Sequence, residues 1–241
     1  MNKVILCEGA TDAILLSYYM QTCYGWQYCR KMPENLTIRI EEGNQTSNCY
    51  MKGDDRLLIC AVGGKNNFSN FFTNYIMNPL VHGNAFDTMV VITDCDDRIK
   101  REIEQETQGT FSGIVTNFKE GCWCKNEYID AYKMQKTIRS LLIIMPKEHQ
   151  GALETVMLEA IAEDTYDANI VAASGEFVHQ MRKIAEKYIP TDRIEMKARL
   201  GVTWAIQYPE KVFSRIDEQI RNVSWEKSEI LKIHFSILEN I

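Results

Sequence analysis

The sequence predicts an α/β protein, a parallel or mixed sheet flanked by helices over residues 1–150, followed by a mainly helical portion over 151–241. Two observations carry this. Through the first 150 residues, short apolar runs alternate with longer amphipathic stretches, the rhythm of strands joined by helices. The last 90 or so residues change to helical spacing, with turn signals at Pro190 and Pro209.

Lys3–Cys7 (KVILC) reads as a buried strand, and Ala10–Thr22 as the helix after it, with Thr11 or Asp12 placed to cap it. Residues 23–56 are polar and rich in Cys, Asn and Gly, and suit a hairpin insertion around Thr37–Ile40 and Cys49–Met51. Arg56–Val62 (RLLICAV) is a second strand, closed by Gly63-Gly64, and a helix is expected over Phe68–Leu80. Thr88–Thr93 (TMVVIT) is a third strand that runs into Asp94-Cys-Asp-Asp97, with a charged helix after it through Thr107. Ile114–Thr116 and Leu141–Met145 read as further short strands. Helices are expected over Gly151–Glu163, Glu176–Tyr188, Asp192–Ile206 and Glu226–Leu238.

Composition narrows the function classes. Aromatic content of 10% and a net charge of −6 exclude a disordered chain. Apolar runs such as Leu141–Met145 fall far short of the roughly 20 residues of a membrane-spanning helix. Met1–Glu8 has too short an apolar stretch before its acid for a signal peptide. The eight cysteines form no CxxC pair, and Cys7, Cys60 and Cys95 lie in or beside apolar runs, so reduced thiols in the cytoplasm are expected rather than a disulfide framework or a zinc site. Residues 151–241 carry 11 basic against 15 acidic side chains, a net of −4 that leaves −2 for residues 1–150. A polyanionic partner must therefore be met by a local patch or through bound metal ions.

Two strand ends carry acids that folding alone does not ask for. Cys7-Glu8-Gly-Ala-Thr-Asp12 places a glutamate and a glycine between a strand and a helix, and Ile92-Thr-Asp94-Cys-Asp96-Asp97 runs a strand straight into carboxylates. Ligands of open α/β sheets bind at the carboxyl ends of the strands, so both clusters belong at one edge. Carboxylates brought together need a positive partner, and a hard divalent cation such as Mg²⁺ suits them. Alternate side chains of Asp-x-Asp share a face and can reach one ion. Gly9, beside a helix N-terminus, lets a phosphate approach the backbone.

Val4-Ile-Leu-Cys-Glu8-Gly9-Ala-Thr-Asp12, a strand ending in Gly63-Gly64, and Val90-Val-Ile-Thr-Asp94-Cys-Asp96-Asp97, in that order, resemble the Toprim domain over about residues 1–120. Topoisomerases, bacterial primases, a ribosomal RNA maturase and the overcoming-lysogenisation-defect (OLD) nucleases share that domain. The resemblance implies a Rossmann-like sheet, acid-bound Mg²⁺ or Mn²⁺, and cutting, joining or polymerising of nucleic-acid phosphodiesters. The family's glutamate role falls on Glu8 and its Asp-x-Asp pair on Asp94 and Asp96. Asp97-Arg98 departs from the small residue or glycine that often follows this pair, and no ATPase, topoisomerase-tyrosine or primase zinc part is present.

The chain is most similar to stand-alone OLD-like members. On that likeness Met145-Pro-Lys-Glu-His-Gln-Gly151-Ala-Leu-Glu154 resembles an element supplying another metal-binding acid, Glu154, and Lys197 resembles a basic catalytic residue. The implied protein is a Mg²⁺- or Mn²⁺-dependent nuclease-like phosphodiesterase. Its catalytic residues would be Glu8, Asp94, Asp96 and Lys197, its metal ligands Glu8, Asp94, Asp96 and Glu154, and Gly9 and Asp12 would sit at the bound group. The implied substrate is DNA or RNA, one or two metals serve, a separate ATPase is a candidate partner, and phage or plasmid defence or nucleic-acid repair is the implied setting.

Ordinary roles compete at several positions: a helix cap at Asp12, a solvated helix start at Asp97 and Glu154, a solvated lysine at Lys197. Lys119, Lys125, Lys133, Lys136 and Arg139 read as a nucleic-acid path or as a solvated face. The rival functions are a non-catalytic nucleotide- or nucleic-acid-binding regulatory module and a primase-like or RNA-processing enzyme.

Overall fold

The computed structural model describes residues 1–241 except 32–35, 37–39, 41–42 and 84–85. The expected hairpin strand at Thr37–Ile40 falls largely on undescribed residues. The chain divides into two compact units, Met1–Ile144 with Ile237–Ile241, and Met145–Ser236. The division falls a few residues before position 150, and the last five residues go with the first unit.

The first unit is built on a seven-stranded mixed sheet. Its strands are β1 (Asn2–Cys7), β2 (Gln27–Tyr28), β3 (Thr46–Lys52), β4 (Asp55–Ala61), β5 (Thr88–Asp94), β6 (Cys124–Ile129) and β7 (Gln135–Met145), in the spatial order β2-β3-β4-β1-β5-β7-β6. The centre is parallel, with β1 between β4 and β5 and Cys7 level with Ala61 on one side and Ile92 on the other. The flanks are antiparallel, β2–β3–β4 and β6–β7.

The three central strands are the three long apolar runs of the sequence, because strands covered on both faces must be apolar throughout. Val4, Leu6, Leu58, Cys60, Met89 and Val91 point to one face and join the core formed with Phe71, Phe72, Ile76, Leu80 and Phe111. Those aromatics come from the helical segment Phe68–Gly83 and from helix α4 (Lys100–Phe111). That segment begins and ends as α2 (Phe68–Phe71) and α3 (Asn78–Gly83), with a π-helical stretch over Phe72–Met77. Helix α1 (Ala10–Tyr24) buries Ala13, Leu15, Leu16, Tyr19 and Met20, and ends at Gly25 in the left-handed region that caps helices.

One expected strand is absent, and one strand forms where none was expected. Ile114–Thr116 forms no strand. Ile114 and Val115 donate their amides to the Phe111 carbonyl and bury their side chains as a turn after α4. Strand β6, by contrast, comes from the polar run CKNEYI, whose burial alternates along an edge of the sheet.

The second unit is helical: α5 (Leu153–Ile161), α6 (Thr165–Ile184), α7 (Asp192–Gln207), α8 (Ile216–Ile220) and α9 (Glu229–Phe235). Asp164, Thr191 and Ser228 cap α6, α7 and α9 by accepting backbone amides. Helices α6 and α7 are tied by Arg182, which donates to Asp192 and Glu195. Trp225 is fully buried and donates its indole N–H to the Ile220 carbonyl at 2.7 Å. No helix among the described residues is long and apolar enough to cross a membrane.

Candidate functional site

Glu8 follows β1 by one residue and Asp94 closes β5. The parallel register that sets Cys7 against Ile92 brings Glu8 level with the end of β5 one step further on. The contact is direct. Glu8 Oε1 accepts the Thr93 hydroxyl at 2.6 Å and the Asp94 backbone N–H at 2.9 Å, across 85 and 86 positions of sequence. Glu8 and Asp94 are both buried, at 2% and 4% exposure. Two acidic strand ends, far apart along the chain, thus meet at the carboxyl edge of the parallel centre, where α/β sheets take ligands.

The other side of Glu8 is held by the chain leaving β4. Val62 N–H donates to the Cys7 carbonyl at 2.9 Å and Gly64 N–H to the Glu8 carbonyl at 2.8 Å. To make the second bond the backbone takes φ of +82° at Gly63 and +118° at Gly64, where a side chain is strained. A Cβ at Gly63 would also stand 2.9 Å from Asn44 Nδ2. These glycines do more than end a strand: they grip the backbone of the site glutamate.

Immediately after them, Lys65 reaches over the exit of β1 to the end of β5. Its ammonium donates to the Asp94 carbonyl at 3.0 Å and lies 3.4 Å from Asp96 Oδ2. Asp96 takes φ of +53°, a rare conformation for a residue with a side chain. The two-residue alternation expected of Asp-x-Asp therefore stops at Asp94, and the Asp96 carboxylate is fixed by Lys65 rather than by the strand.

Asp12 accepts the Gly9 N–H at 2.5 Å and closes the first turn of α1. Gly9 itself, at φ −131°, sits in extended backbone open to any residue. The nearby thiols of Cys7 and Cys95 are buried. Burial, then the charges of Asp12, Glu8 and Asp94 among others, pushes Cys7 well up, and burial raises Cys95 against the pull of Lys100 and Lys65.

Glu154 and Lys197 lie in the helical unit and pair with each other, Lys197 Nζ standing 3.6 Å from Glu154 Oε1. Glu154 is buried in the first turn of α5, and Lys197, on α7, is half exposed. On the β6–β7 hairpin, Lys125 and Arg139 face each other. Part of that basic strip is compensated locally, Lys125 by Glu127 at 3.8 Å and Lys136 by Asp130 at 3.9 Å, and Arg139 stacks on Trp123.

The rim holds the buried carboxylates of Glu8 and Asp94 and the half-buried one of Asp96, with the Lys65 ammonium already against the last; carboxylate oxygens are donors that hard cations accept. Among the described residues no three His, Cys, Asp or Glu side chains form a group able to hold an ion by themselves. Reading for acids alone missed Thr93 and Lys65. The signal for Lys65 was its place directly after Gly63-Gly64 at a strand exit; Thr93 gave none beyond preceding Asp94.

Fold and rim together define an α/β protein with acids gathered at the carboxyl ends of two adjacent parallel strands. The chain belongs to the family described as Protein of unknown function (DUF3226), whose model matches residues 2–236. Among solved structures it is similar to a hypothetical protein from Pyrococcus horikoshii OT3, at 16% identity over 98% of this chain and 99% of that one, with a TM-score of 0.50, a likeness of fold alone. No curated protein matches it.

Proposed function

We propose that the protein is a metal-dependent, nuclease-like phosphodiesterase acting on DNA or RNA, with Glu8, Asp94 and Asp96 as its reaction centre. The observation that carries this reading is the 2.9 Å hydrogen bond from Asp94 N–H to Glu8 Oε1, which joins two buried acidic residues in the ligand crevice of the sheet. Burying two carboxylates at one rim costs free energy unless a cation or hydrogen bonds compensate them.

When bound, Mg²⁺ or Mn²⁺ supplies charge neutralisation and activation of water for attack on phosphorus. Such ions commonly take one or two carboxylates and complete their shell with water and phosphate oxygens, which suits a rim without a ready-made cage. Glu8, Asp94 and Asp96 would ligate. Thr93 fixes Glu8 Oε1 and so orients the other oxygen, and Lys65 holds the Asp96 turn in the metal-free rim.

Cleavage of plasmid DNA and of single-stranded RNA with Mg²⁺ or Mn²⁺ tests the reading. Glu8→Gln and Asp94→Asn should each lose at least about a hundredfold in rate with an unchanged circular dichroism spectrum. Unchanged cleavage would refute the assignment. Lys65 also favours a second reading, a nucleic-acid-binding module needing no metal, because the chain itself supplies a cation at the rim. That reading expects binding undiminished by a chelator and no cleavage by the wild type.

A further inference from the structure

We infer that Lys65 is a built-in counter-ion of the acidic rim, occupying the position a divalent cation takes, so that metal binding proceeds by displacing its ammonium. The inference rests on the metal-dependent reading above and deepens it: it assigns the residue that sets how tightly the site holds its ion.

The geometry points there from three sides. First, the Lys65 ammonium already uses two hard oxygen donors at the end of β5, the Asp94 backbone carbonyl at 3.0 Å and Asp96 Oδ2 at 3.4 Å. Carbonyl and carboxylate oxygens are the donors that Mg²⁺ and Mn²⁺ prefer, so ammonium and metal compete for the Asp96 carboxylate, one of the proposed ligands. Second, the other cations next to the acidic turn are engaged elsewhere. Arg98 pairs with Glu106, and Lys100 pairs with Glu120 at 2.7 Å. Third, the backbone is shaped to deliver this lysine. Gly63 and Gly64 turn through positive φ, Gly64 N–H bonds the Glu8 carbonyl, and the short helical turn Lys65–Asn67 starts at once, which sends the Lys65 side chain across the exit of β1. Its side chain is only 18% exposed, so the ammonium sits in the crevice rather than in bulk water.

A tethered cation keeps the metal-free rim folded, at the expense of metal affinity. Removing its charge while keeping its length should uncover the competition. Calorimetric titration with Mn²⁺ compares wild type, Lys65→Met, Lys65→Gln and Asp94→Asn, with thermal melting of each protein without and with Mn²⁺. Lys65→Met and Lys65→Gln should bind Mn²⁺ about tenfold tighter than wild type, a difference of about 1.4 kcal/mol. Each should melt lower than wild type without metal, and gain more on adding it.

Equal or weaker Mn²⁺ binding by both variants overturns the inference. If wild-type binding is nonetheless lost in Asp94→Asn, the metal-dependent reading survives that outcome. If wild type and both Lys65 variants take up no Mn²⁺, the inference and the reading fall together.

Discussion

In the sheet unit, Glu8 is 2% exposed and its charge is met by a hydroxyl and a backbone amide from the neighbouring strand, whereas in the helical unit Ser174 Oγ, Arg199 Nε and Trp204 Nε1 are buried without a hydrogen-bond partner, a condition shared in the sheet unit by Trp123 Nε1. Apolar groups differ as well. Strand β5 is buried at every position, while the 20-residue helix α6 buries only Ser174, Gly175 and Val178 and exposes Tyr166, Phe177 and Ile184. Fixed strand register lets the first unit bury charges with partners in place. The second unit, tied through caps and surface ion pairs, buries fewer of its apolar side chains along α6. Sensitivity to substitution should differ accordingly.

The largest contrast is expected in packing. Leu6→Ala, at a fully buried site of β1, should cost about 3 kcal/mol in urea denaturation, whereas Phe177→Ser, half exposed on α6, should stay within about 0.5 kcal/mol. Similar costs at the two sites would break the comparison. Glycines sharpen it with opposite signs. Gly63→Ala should destabilise by about 2 kcal/mol, because φ is +82° and the new methyl group meets Asn44. Gly201→Ala, inside α7 with open space around it, should stabilise by about 0.5–1 kcal/mol.

The smallest effect concerns acid. Lys3, then the N-terminal amine, holds the Asp55 carboxyl below its usual value by hydrogen bonding. A lowered folded-state pKa contributes stability that is present above the unfolded value near about 4, and is lost as pH falls through the folded one. Asp55→Asn should therefore flatten the stability profile below about pH 4. At pH 7 it should cost no more than about 1 kcal/mol, since a third-exposed carboxylate is screened.

Much of the sheet was legible because its central strands are covered on both faces, which writes Val4–Cys7, Leu57–Ala61 and Met89–Ile92 as uninterrupted apolar runs. The edge strand β6 was not, because one exposed face fills it with Lys, Asn and Glu. The first turns of α6 were missed for a related reason: Tyr166, Asp167 and Asn169 show no apolar stripe, and the capping Asp164 marks the start only once its bonds to Tyr166 and Asp167 are known. At the site, Glu8 and Asp94 stood out because acids rarely follow buried strands directly. The placement of Asp96 did not follow from the pattern, since a left-handed residue breaks strand alternation. Lys65 was passed over because a lysine's default is solvent; its place after the turn of Gly63-Gly64, which carries it inward, is the one mark the pattern bears.

The most direct measurement is the anomalous signal of manganese in a crystal of the wild-type protein soaked with Mn²⁺. A peak within about 2.5 Å of carboxylate oxygens of both Glu8 and Asp94 is the expected result. A well-soaked crystal with no peak there, or with manganese bound only elsewhere, would contradict the assignment of the rim as a metal centre.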